Sequence, residues 1–163
     1  MPVDDQLSVF AYNNIISLGL ELGELEWLEY FIATFTQYLP TNTQENLQHF
    51  NIARLLFYKG DYKRARELLM QTEYEDILLN IGAKVMLLKI YYHEEELELL
   101  DALLDSFRIF LGRKKVLTYH KSHYMNLVKY TKKILQTIDV KSLKKEIENT
   151  SHLAEKKWLL EQL

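Results

Sequence analysis

Two histidines three residues apart, His120 and His123, are the first residues whose types and spacing suggest chemistry. At i,i+3 on a helix, two imidazoles can reach one metal ion. His120 falls midway across an apolar face, however, where a core histidine bonded to a neighbouring carbonyl is the simpler reading, and no metal is expected. The run His93-Glu94-Glu95-Glu96 supplies oxygen donors without the ligand spacing of a calcium loop, so it reads as a solvated acidic corner. Nothing in the chain matches a glycine-rich phosphate loop, a Gly-x-Ser-x-Gly elbow or His-Glu-x-x-His. The absence of cysteine excludes disulfides, thiolate metal sites and a cysteine nucleophile. The chain therefore reads as a non-enzyme, with no catalytic residue and no cofactor.

A second kind of chemistry is electrostatic. On a helix from about Lys114 to Gln136, Val116, Leu117, His120, Tyr124, Leu127, Thr131, Ile134 and Leu135 share one face. Lys114, Lys115, Lys121, Lys129, Lys132 and Lys133 fall on the opposite arc, and no acidic residue lies between Asp105 and Asp139. Such a basic stripe can hold phosphates, an anionic surface or an acidic protein patch; it can also be a plain solvated face. Residues 1–107 carry 7 Lys/Arg against 18 Asp/Glu, a net of −11, whereas residues 108–163 carry 13 against 5, a net of +8. That division argues against nucleic acid, for which no reading motif is present, and favours an acidic protein partner. The acidic part of a second copy would serve, in a head-to-tail self-association.

The elements that must position these groups are helical. A chain of 163 residues, 48% hydrophobic and 26% charged, with 5 Gly and 2 Pro, has little material for β-turns. No apolar run is long enough for a membrane span. The first basic residue is Arg54, so the amino terminus lacks the basic start of a secretory leader and the cytoplasm is the expected location. A start at Met1-Pro2 is also compatible with a piece of a longer protein.

Asp4 or Asp5 can cap a first helix running to about Glu21, with Leu7, Phe10, Ala11, Ile15, Ile16 and Leu20 as its apolar side. A second helix runs from Gly23-Glu24-Leu25 to about Tyr38, where Pro40 ends it. Asn42 with Glu45 forms a capping box for a third, reaching Lys59, and a fourth runs from Asp61 to about Gln71. The fifth spans about Asp76 to Tyr92 and contains Gly82, which weakens it by about 1 kcal/mol relative to alanine. The sixth runs from Leu97 to Gly112, the seventh from Lys114, and a last segment from Val140 to Leu163 breaks near Asn149-Thr150-Ser151. Trp27 and Trp158, flanked by charge, read as packing anchors rather than a ligand cage.

Three corners then line up. Gly23-Glu24-Leu25, Gly60-Asp61-Tyr62 and Glu95-Glu96-Leu97 lie 37 and then 35 residues apart, with two helices per period. The middle unit, with Ala53, Gly60-Asp61-Tyr62, Ala65 and Leu69, resembles the tetratricopeptide repeat. The first matches through Gly23, Glu24, Leu25, Leu28, Ile32 and Pro40; the third is degenerate, with Leu88 and Leu100 in place of small residues. The resemblance covers about residues 8–110. The whole string also looks like the carboxy-terminal helical part of uncharacterised bacterial repeat proteins, a likeness that carries no known activity.

The resemblance implies an all-α fold of about eight helices: antiparallel hairpins stacked as a right-handed α-solenoid in a single domain. Its units would be about 4–40, 41–75, 76–112 and 113–163, closed by a carboxy-terminal capping helix around Trp158, Leu159, Leu160 and Leu163. It further implies a concave groove lined by Asn13, Asn14 and Ser17, by Phe50, Asn51, Arg54 and Phe57, and by Val85, Lys89 and Tyr92. Arg54 and Lys89 would occupy equivalent places one repeat apart, suited to an acidic or aromatic-containing peptide. The alternative is that Phe50, Phe57 and Tyr92 are packing residues and the cations are solvated. The family's clamp for a terminal carboxylate is not matched, because Phe50 and Val85 stand where its lysine or asparagine would be. The expected function is non-catalytic: a scaffold that binds a peptide or helix of a partner protein. A basic-helix module contacting phosphates or anionic surfaces, or a self-associating spacer, is the alternative.

Overall fold

The structure, a computed structural model, describes residues 6–113 and 118–163, and among these every regular element is helical. The order is α1 (Val9–Leu22), α2 (Leu25–Phe35), two single 3-10 turns (Thr36–Tyr38 and Thr41–Thr43), α3 (Gln44–Tyr58) and α4 (Tyr62–Gln71). There follow α5 (Ile77–His93), α6 (Leu97–Arg113), α7 (Thr118–Gln136), α8 (Val140–Glu148) and α9 (Lys156–Glu161). No helix among the described residues is long and apolar enough to cross a membrane. The chain divides within α5 into two compact units, Met1–Ile90 and Tyr91–Leu163.

One corner geometry recurs. Gly23 at φ +72° and Gly60 at φ +80° end α1 and α3 in the left-handed conformation that a side chain resists. After them, Glu24 N–H donates to Gly19 O and Asp61 N–H to Leu56 O, each at 2.9 Å, closing the last helical turn. The third corner makes the same bond, Glu96 N–H to Tyr91 O at 2.9 Å, although its left-handed residue is Glu95 at φ +58°. The burial pattern repeats with the corners. Seven residues before each left-handed residue lie Ile16, Ala53 and Leu88, and five after it Leu28, Ala65 and Leu100, all at 0% exposure. The bulky pair Leu88 and Leu100 therefore holds the same buried places that alanines hold in the middle unit.

The first unit has two adjoining cores rather than one. Tyr12, Ile16, Leu20, Leu28, Phe31, Ile32, Leu39, Leu47 and Leu55 form the first; Phe50, Ala53, Leu56, Ala65, Leu69, Tyr74, Ala83, Met86 and Ile90 form the second. Ile52 and Leu79 lean on both. Two glycines set close approaches. A Cβ on Gly19 would stand 2.6 Å from Leu28 Cδ2, and one on Gly82 would stand 2.7 Å from Phe50 Cζ. Gly82 is thus more than a weak point of α5: it makes room for the Phe50 ring.

Several local expectations change. Asp4 and Asp5 lie outside the described residues, and α1 starts later, with Ser8 Oγ accepting from Ala11 N–H at 3.0 Å. Its buried side is centred on Tyr12, while Phe10 is 78% exposed. Burial of a tyrosine requires a partner for its hydroxyl, and Thr36 Oγ1 supplies one at 2.8 Å while itself donating to Ile32 O. The capping box at Asn42 and Glu45 does not form. Asn42 sits inside a 3-10 turn, the Thr43 hydroxyl donates to Pro40 O at 2.7 Å, and α3 begins at Gln44 without a side-chain cap. Trp27 is 47% exposed, the outer member of an aromatic ladder on α2 in which it stacks on Phe31 and Phe31 on Phe35.

In the second unit, α6, α7, α8 and α9 pack in sequence, with α9 also against α7. On α7, Leu127, Val128, Tyr130 and Thr131 are buried, whereas Leu135 at the end of its expected apolar face is 39% exposed; Val116 and Leu117 lie outside the described residues. The break near Asn149-Thr150-Ser151 falls where α8 ends, and Thr150 Oγ1 is 2.8 Å from the Tyr130 hydroxyl. Leu159 is fully buried and the Trp158 ring meets Tyr92 edge-on at 5.3 Å.

Candidate functional site

The polar cradle around Arg54 is the strongest candidate. Helical spacing puts Asn51 and Arg54 one turn apart on α3, and α1 brings up Asn13 and Ser17, likewise a turn apart. Asn51 is completely buried and fully engaged: its Nδ2 donates to Leu47 O at 2.9 Å and to Asn13 Oδ1 at 3.2 Å, while its Oδ1 accepts from Arg54 Nη1 at 3.0 Å. Arg54 Nη2 donates to Ser17 Oγ at 3.0 Å, and its guanidinium carbon lies 5.9 Å from the Phe50 ring centre. Two of the five guanidinium N–H donors are used in this way. Among the described residues Arg54 has no carboxylate partner. Burial lowers its pKa, opposed by Tyr58, yet a guanidinium starts so high that it keeps its charge. The result is a fixed cation with donors to spare and no counter-ion among the described residues.

The ten expected groove residues separate. Phe50 and Val85, each 8% exposed, and Asn51 are interior, so these three are corrected from lining to support. Phe50 packs edge-on against Tyr74 at 5.7 Å and over Gly82, which explains why an aromatic there is structural. Asn13, Ser17, Arg54, Phe57 and Lys89 are half-buried and Asn14 is exposed, all in the first unit, and Lys89 Nζ stands 6.0 Å from the Phe57 ring centre. Tyr92, half-buried, belongs to the second unit.

The basic stripe is corrected as well. Lys114 and Lys115 lie outside the described residues, and Lys121 is half-buried. Lys132 is paired with Asp105, and Lys133 reaches both oxygens of Glu146 at 2.7 and 3.0 Å. These lysines hold the Asp105 and Glu146 carboxyls below their ordinary range. Lys129 Nζ sits 5.0 Å over the Tyr130 ring. The partner acids are 27 and 13 residues away along the chain, so a helical projection of α7 alone cannot show them. On α8, Lys141, Lys144 and Lys145 are exposed and have no carboxylate partner among the described residues.

A network that the sequence did not suggest joins His49, Thr72 and Tyr74. His49 Nδ1 is 2.8 Å from the Tyr74 hydroxyl and Nε2 is 3.2 Å from Thr72 Oγ1. Burial pushes Tyr74 up to about 12 and lowers His49, with Glu45 acting in the opposite sense on the imidazole. A protonated phenol beside a neutral imidazole is a structural pair rather than an activated nucleophile. His123 meets His152 edge-on at 5.3 Å, and among the described residues no group of three His, Asp or Glu is placed to hold a metal. A cavity of about 450 Å³ between α2, α3 and α4 is floored by Ile32, Ile52 and Leu55 and edged by the Lys59–Glu29 pair at 2.8 Å.

Compared with protein-family models, with curated proteins and with solved structures, the chain matches none of them.

Proposed function

We propose that this chain is a non-catalytic interaction module whose helix pairs stack as a right-handed solenoid of tetratricopeptide type. It takes an acidic segment of a partner protein against α1, α3 and α5 of the first unit. The recurrence of one left-handed corner, with the same buried places around it, supports the repeat reading. The observation that carries the binding reading is the Arg54 cradle. A guanidinium oriented by Ser17 and Asn51, the latter held by Asn13 and Leu47, is pre-organised for a carboxylate and has none among the described residues. Phe57 and Lys89, further along, add an aromatic face and a second cation, and Asn14 adds a donor and acceptor at the surface. Residues 1–107 carry 18 Asp/Glu, so a cation with no carboxylate partner among the described residues stands out there.

The test is anisotropy of labelled Glu-rich peptides against their Gln counterparts, with Arg54→Gln and Lys89→Gln singly and together. Glutamine removes the charge while keeping an amide toward Ser17 and Asn51, so the fold survives. Loss of one charge-assisted pair lowers affinity at least roughly tenfold. Acidic peptides that bind no better than their Gln counterparts, or binding that the double variant leaves intact, would overturn the proposal.

A further inference from the structure

The second unit carries an exposed aliphatic corner that the acidic-segment reading does not use. Between α7 and α8 the chain turns at Thr137-Ile138-Asp139, and Ile138 is 98% exposed, with Leu135 at 39% and Val140 at 42% beside it in the chain. A branched aliphatic side chain standing almost wholly in water contributes nothing to the core. Three exposed aliphatics within six residues are more than the scattered apolar surface of a soluble domain.

Cations follow directly. Leu143 and Ile147 bury one side of α8, and Lys141, Lys144 and Lys145 are exposed on the rest, none paired with a carboxylate among the described residues. Lys144 also shares a shallow hollow with Lys156, Lys157 and Leu160. Of the nearby acids, Asp139 Oδ1 accepts the Ser142 N–H at 3.0 Å as the α8 cap and Glu146 is bound by Lys133, while Glu161 edges the hollow beside Lys157 and Glu148 is exposed on α8. The net +8 of residues 108–163 extends the same sign over the surroundings.

We propose that the α7–α8 corner is a docking point for an anionic lipid surface. Ile138, with Leu135 and Val140, enters the headgroup layer, and Lys141, Lys144 and Lys145 meet the lipid phosphates and carboxylates. Charge complementarity selects the sign of the partner and the aliphatic tip selects its kind. A nucleic-acid backbone offers an isoleucine no apolar surface to enter, and single strands are gripped by stacking aromatics, which this corner lacks.

The experiment is co-sedimentation of the full chain with phosphatidylserine-containing vesicles and with pure phosphatidylcholine vesicles, at low and high salt. A DNA duplex is run beside them. Of the two kinds of vesicle, binding is expected to the anionic one alone and to weaken with salt. Ile138→Asp should lower it at least roughly tenfold with circular dichroism unchanged, since the residue is outside the core. Lys141→Glu with Lys144→Glu should lower it similarly. Absence of binding to the anionic vesicles, or binding that Ile138→Asp leaves intact, overturns the proposal. Tighter capture of the duplex overturns it too.

Discussion

Replacing Gly82 by alanine sets two physical effects against each other inside one helix. Helix propensity alone favours the change by about 1 kcal/mol, because glycine surrenders more backbone freedom than alanine. Packing opposes it. The new methyl would stand 2.7 Å from Phe50 Cζ and 3.1 Å from Cε2, about 1 Å inside ordinary carbon contact. Phe50 cannot easily yield: it is 8% exposed, holds Tyr74 at its edge at 5.7 Å, and has the Arg54 guanidinium 5.9 Å from its ring centre. Overpacking of this kind costs typically 1–3 kcal/mol, so the net expectation is a loss of up to about 2 kcal/mol. For a chain of this length that lowers the midpoint of thermal unfolding by up to about 8 °C. The measurement is a double-mutant cycle with Phe50→Leu, followed by urea and thermal melts in far-ultraviolet circular dichroism. In the leucine background the clash is relieved and the same Gly82→Ala change should turn neutral or stabilising. If Gly82→Ala raises stability with Phe50 in place, propensity has won and the close approach of α5 to α3 is refuted.

Two further outcomes follow from single residues. Glu95 holds the left-handed place that Gly23 and Gly60 hold at the other corners, so Glu95→Gly should stabilise by about 0.5–1 kcal/mol, read as a higher urea midpoint; destabilisation would count against the shared corner geometry. His49 has its pKa lowered by burial, so the folded chain favours the neutral imidazole. Its contribution is complete above the unfolded value of about 6.5 and is lost as pH falls through the folded one, because the unfolded chain then binds the extra proton. His49→Gln should flatten the pH dependence of the melting temperature in that range; an unchanged slope would place the titration elsewhere.

Much of the helical layout was legible because its signals are local. Gly23 and Gly60 mark corners through φ alone, and Asp61 caps through a side chain three residues from its target. The misreadings involve residues whose state depends on something distant. Tyr12 is buried because Thr36, 24 residues on, takes its hydroxyl, and the phase of α1 moves with it, leaving Phe10 in solvent. Phe50, Asn51 and Val85 share the expected face of Arg54 in projection and are inside in fact. The pairing of Lys132 and Lys133 is hidden for the same reason, since Asp105 and Glu146 approach them from other helices.

The order of residues by itself determined that the chain is helical, where most helices turn, and that its charge divides into an acidic and a basic part. Those properties depend on side chains within one or two turns of each other, and on plain composition. Only the tertiary structure decided which cations keep a free charge and which exposed aliphatics remain uncovered. Lys133 is neutralised and Lys144 is not, Trp27 is half covered and Ile138 is bare, because desolvation and pairing are settled by whatever helix arrives next, at separations no periodicity records.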